Sequence, residues 1–249
     1  MKPILSVYVP YYVPIAYKKE HNKIYIVSIS MLRGTSIGIY KNFKGLDINC
    51  QLSKPIQKIL EELYDTIGRN FGIVIAVDAP PFWEIGVQSS IILGMNLALD
   101  ALSTNSLNVK ILHDKVIKSM TKLINVAWVH NLNFSKGVSK FIINNDGELE
   151  DRISTSIKND MRIIIGVKAL RDFPMWINEA NVYNPDEEYP KILKWTSDVN
   201  LKYNWSNMDI RIVSLQKLKI IVEELINYYS SEEIIVSQPD NMGIRIYRF

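Results

Sequence analysis

The feature that most constrains the fold is a short loop between two apolar runs of different character. Residues 71–77 are almost continuously apolar, which is typical of a strand that is buried on both of its faces. Residues 91–102 carry apolar side chains nearly all round a helix, as in a helix that lies at the centre of a domain. The connecting residues 78–90 therefore lead from a buried strand directly to the N-terminus of a buried helix.

Two hydroxyl residues, Ser89 and Ser90, lie where the first turn of this helix is expected. One interpretation is structural, because Ser is among the commonest N-cap residues and Ser89 would cap the helix. The other is functional, because the free backbone N–H groups of a helix N-terminus bind anions such as phosphate. In that case Gly86, Val87, Gln88, Ser89 and Ser90 form the ligand-binding loop.

The rest of the chain alternates between strand-like and helix-like segments. Enrichment in Val, Ile and Tyr predicts further strands at residues 4–9, 23–30, 33–40, 46–52, 161–167, 233–237 and 243–247. An Asn-Asp-Gly turn at residues 145–147 predicts a hairpin over residues 137–149. Apolar residues at helical spacing predict helices over residues 54–67, 109–126 and 215–229, and residues 171–206 are expected to be irregular with short helices.

This order of elements predicts an α+β fold in two parts. A strand-rich N-terminal domain with the buried helix would span residues 1–155. A C-terminal α+β domain would span residues 156–249. The boundary falls just beyond the predicted hairpin, where the order of elements changes.

The composition is that of a globular protein with a substantial core, since 47% of the 249 residues are hydrophobic and 22% are charged. A net charge of +3 and the absence of long basic runs argue against nucleic-acid binding. Asp78, Pro80, Pro81 and Glu84 interrupt the longest apolar span, so no membrane helix is expected. The single cysteine, Cys50, suits a reducing cytoplasm. The three histidines lack the spacing of a metal site, so no protein-bound metal is predicted.

Two aspartates are candidates for catalysis. Asp78 ends the buried strand just before the loop, a position from which side chains reach a ligand crevice in α/β folds. Its alternative role is to cap the turn before Pro80. Asp146 is a candidate base or metal ligand by analogy, and its place in the Asn-Asp-Gly turn favours a role in turn geometry.

The loop resembles a sequence motif of a known superfamily. Residues 80–90, followed by the apolar helix, are similar to the Pro-x3-Gly-Leu-Gly-Ser-Ser loop of the GHMP superfamily. The small-molecule kinases of this superfamily act on galactose, homoserine, mevalonate and phosphomevalonate. In one register Gly86, Ser89 and Ser90 match the motif and Gln88 replaces its second glycine.

A second register keeps the family's spacing from Pro80. Gly86 then supplies the second glycine and Glu84 replaces the first. In either register a side chain, that of Gln88 or of Glu84, stands where the family's glycines let the backbone wrap a triphosphate. Both replacements argue against ordinary ATP binding.

Within the superfamily, the loop is more similar to that of archaeal β-ribofuranosylaminobenzene 5'-phosphate synthase than to that of the kinases. Pro80, Pro81 and Gly86 match its Pro-Pro-His-Val-Gly-Leu-Gly-Ser sequence, while its histidine and first glycine are replaced. Residues 137–147 resemble that family's glycine-and-aspartate hairpin. Residues 237–243 resemble its late Gly-Gln-Ser-Ser-Trp-Gly loop.

The resemblance implies a GHMP-like two-part fold, with an N-terminal mixed sheet around a buried helix and a C-terminal ferredoxin-like α/β sandwich. It implies a pocket for a phosphorylated small molecule, either phosphoribosyl pyrophosphate or a nucleotide. In the synthase, the loop would hold phosphoribosyl pyrophosphate with Mg2+ while an aminobenzoate attacks and loses carbon dioxide, in pterin cofactor biosynthesis. Three hypotheses follow: a transferase of this synthase type, an ATP-dependent GHMP small-molecule kinase, and a non-catalytic homologue that binds a metabolite or a protein. A homodimer is compatible with each of them.

Overall fold

The computed structural model describes residues 2–67, 69–80, 85–105, 107–109, 132–167, 183–205, 208–230 and 233–249. Its described strands form two sheets, one of seven strands and one of four antiparallel strands. Helices accompany both sheets. The α+β class predicted from the sequence is therefore confirmed.

A long antiparallel hairpin forms the centre of the seven-stranded sheet. Its strands β1 (Leu5–Glu20) and β2 (Lys23–Tyr40) are joined by His21 and Asn22, whose φ angles of 47° and 62° suit a two-residue turn. The sequence pattern predicts three shorter strands here, and the structure joins them into two. The physical reason is that the pairing shifts register at two prolines of β1, which interrupts the alternation of side chains without ending the strand.

The other strands of this sheet pair with the hairpin directly or through a neighbouring strand. They are β3 (Gly45–Ile48), β4 (Gly72–Val77), β5 (Val138–Asn144), β6 (Leu149–Thr155) and β11 (Arg245–Arg248). The second half of β2 pairs with β4, which pairs in parallel with β3, while the first half of β2 pairs with β5. β5 and β6 form the predicted hairpin, and β11 pairs with β1. Cys50 lies beyond the end of β3 rather than inside a strand over residues 46–52.

Two helices pack against each other on this sheet, α1 (Lys54–Asp65) and α2 (Val87–Thr104). α2 is the buried helix that the sequence predicts, since thirteen of its 18 residues are buried. It approaches the sheet closely at Gly94, where an added Cβ would stand 2.8 Å from Ile37 Cδ1. None of the helices within the described ranges is long and apolar enough to cross a membrane.

The second sheet is formed by strands from residues 161–237, where the described elements follow the order strand, helix, strand, strand, helix, strand. Its elements are β7 (Met161–Val167), α3 (Pro185–Leu193), β8 (Leu201–Trp205), β9 (Met208–Ser214), α4 (Leu218–Ile226) and β10 (Ile234–Ser237). The strands lie in the order β10-β7-β9-β8, and all pairs are antiparallel. This is the ferredoxin-like arrangement expected of the C-terminal part. The predicted helix over residues 215–229 begins with a 3-10 turn at Leu215–Lys217 before α4.

Two predicted segments fall largely outside the described residues. They are the helix over residues 109–126, of which only Val109 is described, and the first part of the irregular region over residues 171–206. Within the described part of that region, α3 and β8 are regular elements. The prediction of short helices there is confirmed by α3, whose N-cap residue Asn184 accepts a hydrogen bond from the backbone N–H of Asp186 at 3.1 Å.

Residues 238–240 tie the second sheet to the first. The backbone N–H of Leu32 donates to the carbonyl oxygen of Gln238 at 2.7 Å, and that of Asp240 donates to the carbonyl oxygen of Ser30 at 2.8 Å. The chain then returns to the first sheet as β11. The division into residues 1–155 and 156–249 stays a prediction, and the last strand of the second part lies in the first sheet.

Candidate functional site

The helix α2 begins three residues earlier than the capping interpretation of Ser89 requires. Its N-cap residue is Gly86, with φ 81° and ψ 22°, and no side chain caps the helix. These angles lie in the left-handed region, which glycine enters without strain and Ser does not. Ser89 is therefore the third residue of the helix rather than its cap. The phosphate-binding alternative for residues 86–90 stays a proposal.

Gly86 is also required by the space around it. A Cβ added there would stand 2.2 Å from Cε1 of Tyr12 and 3.0 Å from Nδ2 of Asn133. The loop is attached to β1 next to this contact, because the backbone N–H of Tyr12 donates to the carbonyl oxygen of Ile85 at 3.1 Å. The entry into α2 is therefore held against β1.

Asn133 fixes the same turn from the other side. Its Nδ2 donates to the carbonyl oxygens of Pro10 at 3.0 Å and Gly86 at 3.3 Å. Its Oδ1 accepts a hydrogen bond of 2.5 Å from Ser89 Oγ, which also lies 3.0 Å from the Gly86 carbonyl oxygen. Sequence reasoning missed Asn133, and its only signal is a polar residue between the apolar Leu132 and Phe134. The Ser89 hydroxyl thus forms its hydrogen bonds with other groups of the protein.

Ser90 belongs to a buried chain of polar groups that leads to the end of β4. Its Oγ donates to the carbonyl oxygen of Val87 at 2.6 Å and lies 2.6 Å from Thr35 Oγ1. Thr35 Oγ1 lies 3.3 Å from the Tyr11 hydroxyl, which accepts a hydrogen bond of 3.1 Å from the backbone N–H of Asp78. Burial raises the pKa of Tyr11 above its usual value, so the phenol stays protonated. The chain connects the first turn of α2 to Asp78.

Gln88 differs from its neighbours because its polar atoms are not paired. The side chain is 5% exposed, and within the described residues neither Nε2 nor Oε1 has a hydrogen-bond partner. Val87 beside it is fully buried. Glu84, which the second register of the loop brings into the motif, lies outside the described residues.

Asp78 forms an ion pair at the end of β4. Arg33 Nη1 lies 3.2 Å from both Oδ1 and the backbone oxygen of Asp78, while Arg33 Nε donates to the carbonyl oxygen of Val236 at 3.3 Å. The Asp78 side chain is 61% exposed. Arg33 therefore links the end of β4, in the first sheet, to β10 in the second.

Asp146 lies far from Asp78. Val77 pairs with Thr35, whereas the hairpin turn that carries Asp146 adjoins Asn144, which pairs with Lys23. Twelve residues of β2 separate these positions, which is roughly 35–40 Å at the rise of a strand. The backbone N–H of Asp146 donates to Asn144 Oδ1 at 3.0 Å, as turn chemistry predicts. The structure does not bring the two candidate aspartates together.

A second polar group, which sequence reasoning missed, lies where β11 joins β1. Asp240 is 1% exposed, forms an ion pair with Arg245, and accepts hydrogen bonds from the backbone N–H groups of Met242 at 2.8 Å and Gly243 at 3.3 Å. The Arg245 guanidinium lies 4.4 Å from the centre of the Tyr8 ring. Burial, and then the negative charge of Asp240, raise the pKa of Tyr8 to about 12.

A pocket of about 370 Å³ lies beside this group. Its lining residues are Tyr8, Leu32, Gly34, Ser36, Ala76, Val77, Asp78 and Arg245. Within the described residues, no group of three or more His, Cys, Asp or Glu side chains is arranged to hold a metal ion.

No family model matches the chain, and no curated protein matches it significantly. Solved structures match it over almost its whole length. A D-glycero-D-manno-heptose 1-phosphate kinase from Bacteriodes thetaiotaomicron is similar with a TM-score of 0.66 and 9% identity, covering 98% of this chain and 99% of that one. A chain designated homoserine kinase thrB from Listeria monocytogenes has a TM-score of 0.63 and 11% identity, with coverage of 98% and 100%.

A third similar structure is the mevalonate diphosphate decarboxylase from Enterococcus faecalis, whose ATP binding is mediated by mevalonate diphosphate. It has a TM-score of 0.56 and 9% identity, with coverage of 98% of this chain and 99% of that one. Because one neighbour binds ATP, the argument against ATP from Glu84 and Gln88 gains no support from these comparisons. Particular closeness to the synthase is not found among these neighbours either. At such identities the likeness establishes the fold alone, and the chain has the α+β fold that these solved structures share.

Proposed function

We propose that this protein binds the phosphate of a small metabolite at the first turn of α2 and transfers a group to or from that metabolite. The observation that supports the proposal is that backbone N–H donors of this turn have no acceptor within the described residues. The first intrahelical bond runs from Ser90 N–H to the Gly86 carbonyl oxygen, and within the described residues the N–H groups of Val87, Gln88 and Ser89 have no acceptor. No acidic side chain lies in the turn. An anion is the ligand that such a turn favours.

The loop is held in one conformation, which supports binding of a ligand without prior ordering. Tyr12 and Asn133 enclose Gly86, and Ser89 is bonded to Asn133. Holding a binding loop in its bound conformation reduces the conformational entropy that is lost when the ligand binds. The side chains of Ser89 and Ser90 shape the turn in this account, and the backbone N–H groups contact the phosphate.

Asp78 is the candidate for the acidic group of the site. It is joined to the first turn of α2 through Tyr11, Thr35 and Ser90. Mg2+ usually binds one or two protein carboxylates together with phosphate oxygens and water, so one carboxylate suffices when the phosphorylated ligand brings the rest. Arg33, beside Asp78, offers a guanidinium to a phosphate oxygen.

Two chemistries fit such a site. The structural neighbours named as kinases favour transfer of a phosphoryl group from a nucleotide to a small acceptor. The similarity of residues 80–87 to the synthase loop favours displacement of pyrophosphate from phosphoribosyl pyrophosphate by an aminobenzoate, as in pterin cofactor biosynthesis. In this structure residues 238–240, from the late loop of the same resemblance, bond to β2 beside Arg33, so this second candidate also has a structural argument.

Thermal melting with Mg-ATP, Mg-phosphoribosyl pyrophosphate and inorganic phosphate tests the proposal. A ligand at 100 times its dissociation constant adds about 2.7 kcal/mol to the free energy of unfolding. For a chain of this size that corresponds to a rise in Tm of about 5 to 11 °C. A shift with Mg-ATP followed by acceptor-dependent ATP consumption selects the kinase, and a shift with Mg-phosphoribosyl pyrophosphate followed by pyrophosphate release selects the synthase. Binding without turnover selects a non-catalytic homologue, and no shift with any of the three contradicts the proposal.

The contribution of Asp78 is tested with a matched pair of variants. Asp78→Asn removes the charge of a carboxylate that is 61% exposed and paired with Arg33. Asp186→Asn does the same at a carboxylate on α3 that is 63% exposed and paired with Lys140 of β5. We expect Asp78→Asn alone to lose the part of the ligand-induced shift that depends on Mg2+. Equal behaviour of the two variants would remove Asp78 from the site.

A further inference from the structure

Gln88 is the second residue of α2 and lies within the turn proposed to bind phosphate. Its amide is 5% exposed, and within the described part of the chain neither the nitrogen nor the oxygen has a hydrogen-bond partner. The neighbouring polar groups do not serve as partners. Ser89 is bonded to Asn133, and Ser90 is bonded to Thr35 and to the Val87 carbonyl oxygen. Among the side chains of Gln88, Ser89 and Ser90, the Gln88 amide is thus the group that forms no hydrogen bond within the described residues.

A buried amide without partners destabilises a protein, because it has given up its hydrogen bonds to water and gained none in return. Val87 and Ile91, which lie beside Gln88 in the helix, are apolar and fully buried, so these neighbours do not favour a polar side chain at position 88. A methionine has nearly the same length and shape as glutamine and would fill the same volume without unpaired polar atoms. A ligand that completes these hydrogen bonds accounts for a glutamine at this position.

We infer that Gln88 determines specificity, by binding a hydroxyl or amino group that the metabolite carries next to its phosphate. This inference rests on the proposed phosphate site at the first turn of α2. The amide nitrogen carries two N–H donors and the amide oxygen accepts, so pairing of both atoms requires at least one acceptor and at least one donor on the ligand. The phosphate group of a doubly ionised ester has several acceptor oxygens and no hydrogen-bond donor. A hydroxyl or an amine supplies the donor that the amide oxygen needs.

The ligand class that follows is a phosphorylated polyol, sugar or amino compound rather than inorganic phosphate, pyrophosphate or an unsubstituted alkyl phosphate. A site built to hydrogen-bond a hydroxyl rejects the analogue that lacks it, because the buried groups of the site are then left unpaired. Gln88 would therefore add selectivity to a turn whose backbone N–H groups bind any phosphate.

The test compares phosphate esters that differ only in hydroxyl groups. Glycerol 3-phosphate and propyl phosphate have the same carbon chain and the same charge, and D-ribose 5-phosphate and inorganic phosphate extend the series at either end. Dissociation constants are measured by calorimetry for the wild type, for Gln88→Met and for Ser214→Ala. Ser214 is the matched control because its hydroxyl is also buried and, within the described residues, unpaired, but it lies at the end of β9 in the second sheet.

We expect the wild type and Ser214→Ala to bind the hydroxylated esters about tenfold or more tightly than propyl phosphate and inorganic phosphate. In Gln88→Met this preference should disappear, with the affinity for propyl phosphate retained. The ligand-free Gln88→Met protein should melt at a higher temperature than the wild type, which shows that it folds and that the amide was unpaired. Gln88→Leu serves as a second variant if the methionine protein does not fold.

The outcomes separate the inference from the proposed function. If the wild type binds phosphate esters but does not prefer the hydroxylated ones, or if Gln88→Met keeps the preference, the inference is wrong and the phosphate site stands. If no phosphate ester binds the wild type, the phosphate site is wrong and the inference falls with it.

Discussion

Replacing Gly86 with alanine tests whether the entry into α2 depends on both the left-handed backbone and the packing of Tyr12. The φ angle of Gly86 is 81°, and an added Cβ would stand 2.2 Å and 2.6 Å from two ring atoms of Tyr12. Contacts of this length force a displacement. The Tyr12 ring is fully buried, and its backbone is hydrogen-bonded to Ile85, so the ring has little freedom to move away.

The expected loss of stability is the sum of two contributions. A non-glycine residue in the left-handed region costs about 1–2 kcal/mol. Forcing a methyl group into a well-packed region costs about 1–3 kcal/mol more. Gly86→Ala should therefore lower the free energy of unfolding by about 2–5 kcal/mol, which at this chain length lowers Tm by about 4 to 20 °C.

Gly243→Ala provides the control, because its φ of 76° is nearly the same while the nearest atoms to an added Cβ are 3.4 Å away. This variant should lose only the backbone contribution of about 1–2 kcal/mol. Urea unfolding of both variants, with equal m-values, measures the difference. A difference of about 0.5 kcal/mol or less lies within the usual error of such comparisons. If the losses of stability of Gly86→Ala and Gly243→Ala differ by no more than this, the added methyl group at position 86 does not meet the Tyr12 ring.

Three further predictions concern buried or half-buried polar groups. Asp240→Asn should lower the free energy of unfolding in urea by about 3 kcal/mol or more, because it leaves the charge of Arg245 without its buried partner. A loss below about 1 kcal/mol would show that water replaces the carboxylate. The folded pKa of Tyr8 is about 12 against an ordinary 10.0, so its contribution to stability is present below pH 10 and is lost as the pH rises from 10 to 12. Tyr8→Phe should therefore show a shallower fall in stability over that range, and identical pH profiles would contradict this. Ser89→Ala should lower stability by about 1–3 kcal/mol without any ligand, because it leaves Asn133 Oδ1 buried and unpaired, and an unchanged urea midpoint would contradict the bond.

The elements that the sequence predicts well are those with local signals. The apolar run of β4, the helical spacing of α1 and the Asn-Asp-Gly turn between β5 and β6 each depend on residues that are neighbours along the chain. Local signals also place α2 in the core, because its side chains are apolar on all sides.

The start of α2 shows what local signals miss. Ser89 is a common capping residue, so the pattern favours it, but the left-handed conformation of Gly86 begins the helix earlier. That conformation is held by Asn133, whose acceptors on Pro10 and Gly86 are 123 and 47 residues away in sequence. No periodicity relates residues at such separations, so Asn133 could not be predicted as part of the site.

The ion pair between Asp240 and Arg245 was missed for a different reason. Both residues lie in a segment that the sequence predicts as a loop followed by a short strand, and its similarity to the synthase loop drew attention to residues 237–243 as a ligand contact. Burial of Asp240 depends on pairing of β11 with β1, where Arg245 lies opposite Tyr8. Strand pairing between the two ends of a chain leaves no trace in the local pattern.

The position of β11 has a consequence for how the protein is made. Leu5 pairs with Arg248, so the outer edge of β1 finds its partner strand only after about 240 further residues have been synthesised. Until then, that edge carries unpaired backbone groups of a kind that recruits other chains. Farther along β1, the same edge forms one backbone hydrogen bond from Tyr12 N–H to the Ile85 carbonyl oxygen and one from Tyr17 N–H to the Tyr183 carbonyl oxygen. A ribosome-bound chain that ends before residue 245 should therefore be prone to aggregation and should depend on chaperones, and contacts of such long sequence separation should make folding of the complete chain slow.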